Sequence, residues 1–204
     1  RRVGLSATVA EPDRLRRWLS PTRDGADVSL VLGDKGAEPR IDVLETAVEM
    51  PWSGHMGTHA IPEIYDQLRD AGTTIVFVNT RAQAEIIFQE LWRMNEDDLR
   101  IALHHGSLAP EQRRKVEAAM ARGDLDAVVA TSSLDLGVDW AAVDLVLQVG
   151  APKGSTRLLQ RVGRSNHRLD SPSRAVLVPA NRFEVLECRA AVDAVRARTL
   201  DGLP

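Results

Sequence analysis

The stretch VDLVLQVGAPKGSTRLLQRVGR, residues 143–164, places a strand, a turn and a helix in direct succession. Its first seven residues are mostly apolar and β-branched, and they do not alternate cleanly with polar residues. This pattern is typical of a strand that is buried on both faces of a parallel sheet. The helical pattern of residues 156–164 follows it closely. The stretch therefore predicts one strand–helix unit of an α/β protein.

The same unit recurs along the chain. Further strand-like runs are TIVFVN (74–79), RIALHH (100–105), DAVVAT (126–131) and RAVLVP (174–179). Helical patterns occupy residues 82–94 and 110–123, the second with Pro110 near its start and Gly123 at its end. Because strands and helices alternate, we predict an open, mainly parallel α/β sheet with right-handed crossovers, flanked by helices.

Polar residues and a glycine follow the predicted strands. In open α/β sheets, ligands bind beyond the carboxyl ends of the strands. The residues at or just past those ends are Asn79, His104, His105, Thr131 and Gly150. We expect them to lie on the functional edge of the sheet.

The composition excludes several classes of protein. Of 204 residues, 44% are hydrophobic and 27% charged, which is ordinary for a globular protein. The aromatic content of 4% argues against a surface built mainly on base stacking. The chain has no apolar run long enough to span a membrane, and its charged beginning is unlike a signal peptide. Its single cysteine, Cys188, fits a reducing compartment. We predict a cytoplasmic protein with no membrane partner.

Positive charge is concentrated near the end of the chain. The formal net charge is −3, yet residues 151–200 contain ten Lys or Arg and four Asp or Glu. Such asymmetry suggests that one face meets a polyanion, although a solvated helix surface is the commoner cause of a single charge cluster.

The first 42 residues differ from the rest. VGLSATVA resembles the end of a strand, PDRLRRWL is helix-like, and a Gly- and Asp-rich stretch follows. We interpret residues 1–42 as the tail of a preceding domain with a linker, and residues 43–204 as a second domain. The chain is expected to be a piece of a longer protein.

Four short motifs stand in an informative order. SAT (6–8), FVNTR (77–81), TSSLDLGVD (131–139) and QRVGRSNHR (160–168) follow the order of motifs III, IV, V and VI of superfamily 2 helicases. From Val3 to about Arg196 the chain resembles the large helicase-related (Lhr-type) family, and within it the ligase-associated DExH-box branch.

The resemblance implies a two-lobed motor in which ATP lies between two RecA-like lobes while single-stranded DNA crosses both. This chain would be the second lobe of a repair-linked DNA helicase that moves 3′ to 5′. Its partners would be the first lobe, which mainly binds ATP and Mg²⁺, and further C-terminal domains. The sequence contains neither a GxxxxGK[ST] phosphate loop nor a DExH box, so we expect no ATP hydrolysis by this chain alone.

The resemblance also implies roles for individual residues. The expected nucleic-acid contacts are Asn79, Thr80, Arg81, His105, Gly106, Thr131, Ser132 and Ser133. The expected nucleotide-binding residues are Gly137, Asp139 and Arg161, of which Arg161 would also link the lobes. The expected catalytic residues are Gln160, Arg164, His167 and Arg168. The residues expected to couple nucleotide state to strand grip are Ser6, Ala7 and Thr8.

Several of these residues have a structural alternative. Thr80 would cap a helix, Gly137 would make a turn, and the hydroxyls of residues 131–133 would cap a helix N-terminus. A capped N-terminus also attracts phosphate, so the two interpretations of residues 131–133 are compatible.

The cations of QRVGRSNHR are interpreted as an arginine finger. If residues 160–168 stay helical, Gln160, Arg164, His167 and Arg168 share one face, and a cation there stabilises a transferring phosphoryl group. A solvated face with i,i+4 ion pairs is disfavoured because no acid lies between Asp144 and Asp170. The general pattern QRxGRxxR puts its last arginine at His167, with Arg168 one position later, so the second cation stays open.

Two rival functions remain. The same motor would serve an RNA or RNA:DNA hybrid helicase, because phosphate contacts are shared between these substrates. A non-catalytic nucleic-acid-binding module is the other rival, and the set of Gln160, Arg164 and Asp139 argues against it.

His55 and His59 have i,i+4 spacing but no nearby third zinc ligand, so a surface position is preferred. Trp18, Trp52 and Trp92 are expected to pack in the interior.

Overall fold

The computed structural model describes residues 2–5, 9, 11–33, 37–135, 143–165 and 172–201. The strands in these ranges are β1 (Arg40–Val43), β2 (Thr74–Phe77), β3 (Ile101–His104), β4 (Ala127–Ala130), β5 (Leu145–Val149) and β6 (Arg174–Val178). The helices are α1 (Pro12–Leu19), α2 (Ile61–Asp70), α3 (Arg81–Met94), α4 (Pro110–Arg122), α5 (Ser155–Val162) and α6 (Arg182–Arg196). Short 3₁₀ turns occupy Thr58–Ala60 and Ser132–Leu134.

All the strands of the described ranges form one parallel sheet in the order β1-β6-β5-β2-β4-β3. The predicted α/β class and the five predicted strands are confirmed, with ends that differ by one or two residues. Helices α3 and α4 also lie where they were predicted. The chain passes from β4 on one side of β2 to β5 on the other, so β2 is central and the crevice beside it opens at the carboxyl edge.

Three elements were not anticipated: β1, α2 and α6. Strand β1 pairs with β6, with Ile41 opposite Ala175, so the sheet begins at Arg40, inside the segment interpreted as a linker. A four-residue edge strand contains too little periodicity to stand out from a Gly- and Asp-rich stretch.

Each central strand supplies two hydrophobic cores because successive side chains point to opposite faces of the sheet. On one face, Phe77 and Val146 pack with Leu158 of α5 and Cys188 of α6. On the other face, Val76 and its neighbours pack against α2 and α3. Both faces are covered, as a parallel sheet requires.

Helix α5 is shorter than the sequence predicts. It ends at Val162, and Gly163 and Arg164 form a turn. Ser165 is then held as an isolated parallel bridge partner of Val143, and its Oγ donates to the Val162 carbonyl. The condition that residues 160–168 stay helical is therefore not met at Ser165, because the backbone there pairs beside a strand.

In the described part of the chain, no helix combines the length and the apolar character that crossing a lipid bilayer demands.

Candidate functional site at the carboxyl edge of the sheet

The residues that follow β2, β4 and β5 share one edge because these strands are parallel neighbours. Asn79 lies there two residues after β2. Its Nδ2 donates to the Ala151 carbonyl at 2.9 Å, and its Oδ1 accepts from Gln148 Nε2 at 3.4 Å. Asn79 thus joins the ends of β2 and β5. Gly150 has a φ of +83°, and a Cβ at this position would lie 2.8 Å from Asn79 Nδ2, so glycine is needed for this close approach.

The first turn of α3 contributes Thr80 and Arg81 to the same edge. Thr80 caps the helix through a 3.1 Å bond from the Gln83 amide, as the structural alternative predicted. Arg81 is exposed, and its Nε donates to Glu85 at 2.8 Å, which lowers the pKa of that carboxyl. His105 Nε2 lies 3.4 Å from the same carboxylate. The guanidinium of Arg81 is therefore exposed at this edge and is paired with a surface carboxylate, that of Glu85.

His104 forms a buried polar cluster beneath this edge. Its Nε2 lies 3.1 Å from Glu117 Oε1 and its Nδ1 lies 2.8 Å from Ser133 Oγ. Burial lowers the pKa of His104, which favours the neutral ring. A carboxylate only accepts hydrogen bonds, so Nε2 holds a proton, and the Ser133 hydroxyl, which contacts Nδ1, donates to the His104 carbonyl at 3.2 Å. Ser133 is therefore turned inward.

The hydroxyls of residues 131–133 do not act alike. Thr131 is half-buried and does not cap the 3₁₀ turn that it precedes, so the capping interpretation is wrong for its side chain. Ser132 is exposed at the edge. Gly106 is exposed as well, whereas the ring of the neighbouring His105 is buried. Among residues 131–133, Ser132 is the most exposed, whereas the Ser133 hydroxyl is bonded to groups of His104.

Arg161 lies inside the lobe, with only 3% of its side chain exposed. Its Nε donates to Asp135 Oδ1 at 2.8 Å, it also donates to Gln148 Oε1, and its guanidinium lies 4.5 Å from the centroid of the Phe77 ring. Burial lowers the pKa of Arg161 and the ion pair opposes that shift, so the group stays charged. Arg161 joins α5 to β2, β5 and the turn after β4.

Two further arginines from the same region contact Asp135. Arg164 Nη2 donates to the Asp135 main-chain carbonyl oxygen at 2.6 Å, and Arg157 Nε lies 3.6 Å from Asp135 Oδ2. Arg164 is half-buried and follows the end of α5, while Gln160 is half-buried on the helix itself. Arg164 is therefore held close to the turn that follows Thr131.

Asp135 and Gln148 were missed by the sequence analysis. Helical spacing relates an arginine only to residues nearby in the sequence, whereas Asp135 lies 26 residues before Arg161. Asp135 in SSLDLG lies in no apolar run, whereas for Gln148 the available signal was a polar residue inside the apolar run LVLQV. Such a residue needs a buried partner.

Seven of the predicted site residues lie outside the described residues. They are Ser6, Ala7, Thr8, Gly137, Asp139, His167 and Arg168.

The expectation that three tryptophans pack in the interior is wrong. Trp18, Trp52 and Trp92 are 75%, 65% and 59% exposed. His55 is exposed with its Nδ1 3.7 Å from Glu184 Oε1, and His59 is half-buried.

Comparison with known proteins gives the context of this site. The family model described as helicase conserved C-terminal domain matches residues 58–168. The Lhr-Core ATP-dependent helicase of Methanothermobacter thermautotrophicus is 34% identical over 92% of this chain and 22% of its own length. The Lhr helicase/probable uracil glycosylase of Mycolicibacterium smegmatis is 32% identical over 99% of this chain and 16% of its own length. The chain thus spans about a fifth of these relatives.

Solved structures share the architecture. The Mycobacterium smegmatis helicase Lhr bound to ssDNA and AMP-PNP superposes with a TM-score of 0.87 at 33% identity, covering 98% of this chain and 27% of that one. The DUF1998 helicase MrfA bound to DNA and AMPPNP superposes at 0.71 with 21% identity, over 97% of this chain and 28% of that one, and shows the fold alone. These matches confirm the predicted RecA-like helicase lobe and the Lhr-type resemblance.

Proposed function

Because this chain belongs to the helicase conserved C-terminal domain family, we propose that it is the second motor lobe of an ATP-dependent DNA helicase. The observation that supports this most strongly is the convergence on Asp135. Arg161 and Arg164, from the segment that resembles motif VI, are bound to the turn that resembles motif V. This contact links Arg164, the cation proposed to act on the nucleotide, to the carboxyl edge of the sheet, which would bind the single-stranded DNA.

The strand would lie along the carboxyl edge. Amide, hydroxyl and guanidinium donors of Asn79, Thr80, Arg81, Thr131 and Ser132 would bind backbone phosphates, which requires no particular base sequence. An ssDNA-bound relative that is 33% identical supports this assignment. Ser133 and His105, whose side chains face inward, would support the loops that present these groups.

The nucleotide would contact the other end of the Asp135 cluster. A guanidinium has five N–H donors, and Arg164 uses one of them for Asp135, which fixes the orientation of its plane. Arg164, assisted by Gln160, would stabilise the charge that spreads over the γ-phosphoryl oxygens in the transition state. ATP and Mg²⁺ would be bound mainly by the first lobe, and Gly137 and Asp139 would contact the nucleotide from this one.

The end of α5 at Val162 bears on the second cation. The helical face that begins at Gln160 ends at Val162, which removes the geometric preference for His167. We therefore favour Arg168 over His167, because arginine offers a permanent charge and a fork of donors. Ser6, Ala7 and Thr8 would couple the nucleotide to the strand. We include 3′ to 5′ movement and a repair role in the same proposal, and further C-terminal domains, for which the greater length of the relatives leaves room.

The arginine finger is tested with Arg164→Ala in a protein that contains both lobes. We expect ATP hydrolysis to fall by about 10³ or more, with single-stranded DNA binding nearly unchanged. Arg157→Ala is the matched control, since Arg157 lies on the helix that precedes Arg164 and its guanidinium lies near the carboxylate of Asp135, the residue whose main-chain carbonyl Arg164 binds. Normal hydrolysis by Arg164→Ala would show that these cations serve another purpose.

The 204-residue chain alone provides a second test. We expect no phosphate release from ATP, and weak single-strand binding that weakens with salt at a log–log slope of about −0.7 per phosphate neutralised. Titrations with DNA, RNA and hybrid oligonucleotides measure the substrate preference. Robust ATP turnover by the pure chain would contradict the assignment of the nucleotide site to the first lobe.

A further inference from the structure

We propose that Trp52 is a base-stacking platform for the single strand, placed beside the phosphate-binding edge. The proposal rests on the proposed nucleic-acid function and adds to it a contact with the bases. Its basis is an exposed indole that is held in one orientation on a tethered segment.

Trp52 belongs to residues 49–57, here called the edge strap. Donors from the body of the lobe bind the backbone carbonyls of the strap, among them the Arg182 backbone amide at 3.0 Å, Asn181 Nδ2 at 2.7 Å and Gln83 Nε2 at 2.8 Å. At its far end, Gly57 has a φ of +72° and lies so close to β5 that a Cβ would be 2.7 Å from Val149 Cγ1. The strap therefore lies against the carboxyl ends of β5 and β6.

One side chain connects the strap to the candidate phosphate site. Gln83 is buried. Its Nε2 donates to the strap, and its Oε1 accepts from the backbone N–H of Asn79 at 2.9 Å. Asn79 is one of the predicted phosphate contacts. The strap thus continues the edge along which the strand would lie.

The indole of Trp52 is exposed but restrained. The Arg182 guanidinium lies 4.3 Å from the ring centroid, and its Nε donates to the strap carbonyl of Met50 at 3.0 Å. The Phe183 ring lies 6.4 Å away at an interplanar angle of 59°. The guanidinium covers one side of the ring, and 65% of the residue remains exposed to solvent. A flat apolar surface is therefore available beside a fixed cation.

A nucleobase fits this surface better than a protein side chain does. Stacking on an aromatic ring accepts every base, which suits a motor that must move along any sequence. The arginine behind the ring is held by an ion pair with Glu49 of the strap, so it keeps the indole oriented toward solvent. A protein partner would instead bury the whole apolar patch, which includes Phe183 and the 69% exposed Leu186.

Trp92 offers a matched control. It is 59% exposed and stands beside an aromatic neighbour, Phe88, at 5.9 Å and 32°. However, it lies in the last turn of α3, the helix whose first turn reaches the carboxyl edge. Stacking at the strap predicts no effect from its removal.

The test measures the dissociation constants of this chain, at low salt, for a labelled oligothymidylate and an abasic oligonucleotide of equal length. We expect Trp52→Ala to weaken thymidylate binding about tenfold or more and to leave abasic binding unchanged. Trp52→Phe should retain most of the affinity, and Trp92→Ala and Leu186→Ala should match the wild type. Urea unfolding of each variant confirms that the lobe is intact.

The possible outcomes separate the two proposals. If the wild-type chain binds neither oligonucleotide, the nucleic-acid function fails and the stacking proposal fails with it. If the wild type binds but Trp52→Ala binds equally well, only stacking is overturned. An equal loss from Trp52→Ala and Leu186→Ala, on both oligonucleotides, would also overturn stacking, because the loss would then not depend on the presence of bases.

Discussion

Removing the carboxylate of Asp135 should strongly destabilise this lobe. Asp135→Ala leaves the Arg161 guanidinium, which is 3% exposed, without its ion-pair partner. Breaking a buried pair by removing one member costs about 3–5 kcal/mol, because an uncompensated charge stays buried. Domains have total stabilities of about 5–15 kcal/mol, so this single change would remove a large part of the stability.

The measurement is the free energy of unfolding in urea. The control is Asp124→Ala, because Asp124 makes an ion pair of similar length with Arg122 at 2.6 Å, and both side chains are at least half exposed. An exposed pair contributes at most about 1 kcal/mol. The two variants therefore separate burial from charge pairing as such.

A double variant makes the reasoning sharper. Arg161→Met in the Asp135→Ala background removes the unpaired charge, so the double variant should be more stable than Asp135→Ala alone. If Asp135→Ala loses no more stability than Asp124→Ala, or if the double variant loses the sum of both changes, the account of this cluster is wrong.

Four further predictions follow from single contacts. Asp201 Oδ2 accepts from the Thr156 amide at 3.0 Å and so caps α5, and Asp201→Ala should lower the unfolding free energy in urea by about 1 kcal/mol. Burial lowers the pKa of His104 below its ordinary 6.5, so the unfolded chain binds this proton first and the free energy of unfolding should fall as the pH drops below about 6.5. A His104→Asn variant should lose less of this free energy between pH 7.5 and 5.5. An unchanged dependence on pH would refute the assignment. Gly150→Ala should displace Asn79 and weaken single-strand binding in a salt titration, since its Cβ would lie 2.8 Å from Asn79 Nδ2. Burial raises the pKa of the Cys188 thiol to about 12, so a thiol reagent should react with it in urea but not in buffer, and fast labelling of the native chain would contradict its burial.

The sequence predicted the elements whose signal is local. Runs such as TIVFVN and DAVVAT identify buried strands because an uninterrupted apolar segment of that length suits a strand covered on both faces. Pro110 and Gly123 mark the two ends of α4 for reasons that lie in their own backbone preferences. From the parallel sheet it follows that Asn79, Thr131 and Gly150 share an edge.

Predictions from the sequence failed where a residue is bound by another residue that lies far away along the chain. The arginines of QRVGR lacked acidic neighbours within helical spacing, which suggested that they lacked ion pairs. Asp135 supplies the pair from 26 residues away, through the packing of α5 beside the turn after β4. The helix also ends at Val162 because Ser165 is held beside Val143, a contact that no helical pattern reveals.

Sequence alone therefore determined the α/β class, most strands and helices, and the resemblance to a helicase lobe, because these depend on residue types at short and regular spacings. Only the tertiary structure decided which arginine is buried and which reaches the surface. It also showed that Trp52 is exposed on a tethered strap. Burial and ion pairing depend on atoms brought together from separate elements, such as Gln83 between the strap and Asn79, and the spacing of residues along the chain does not encode those distances.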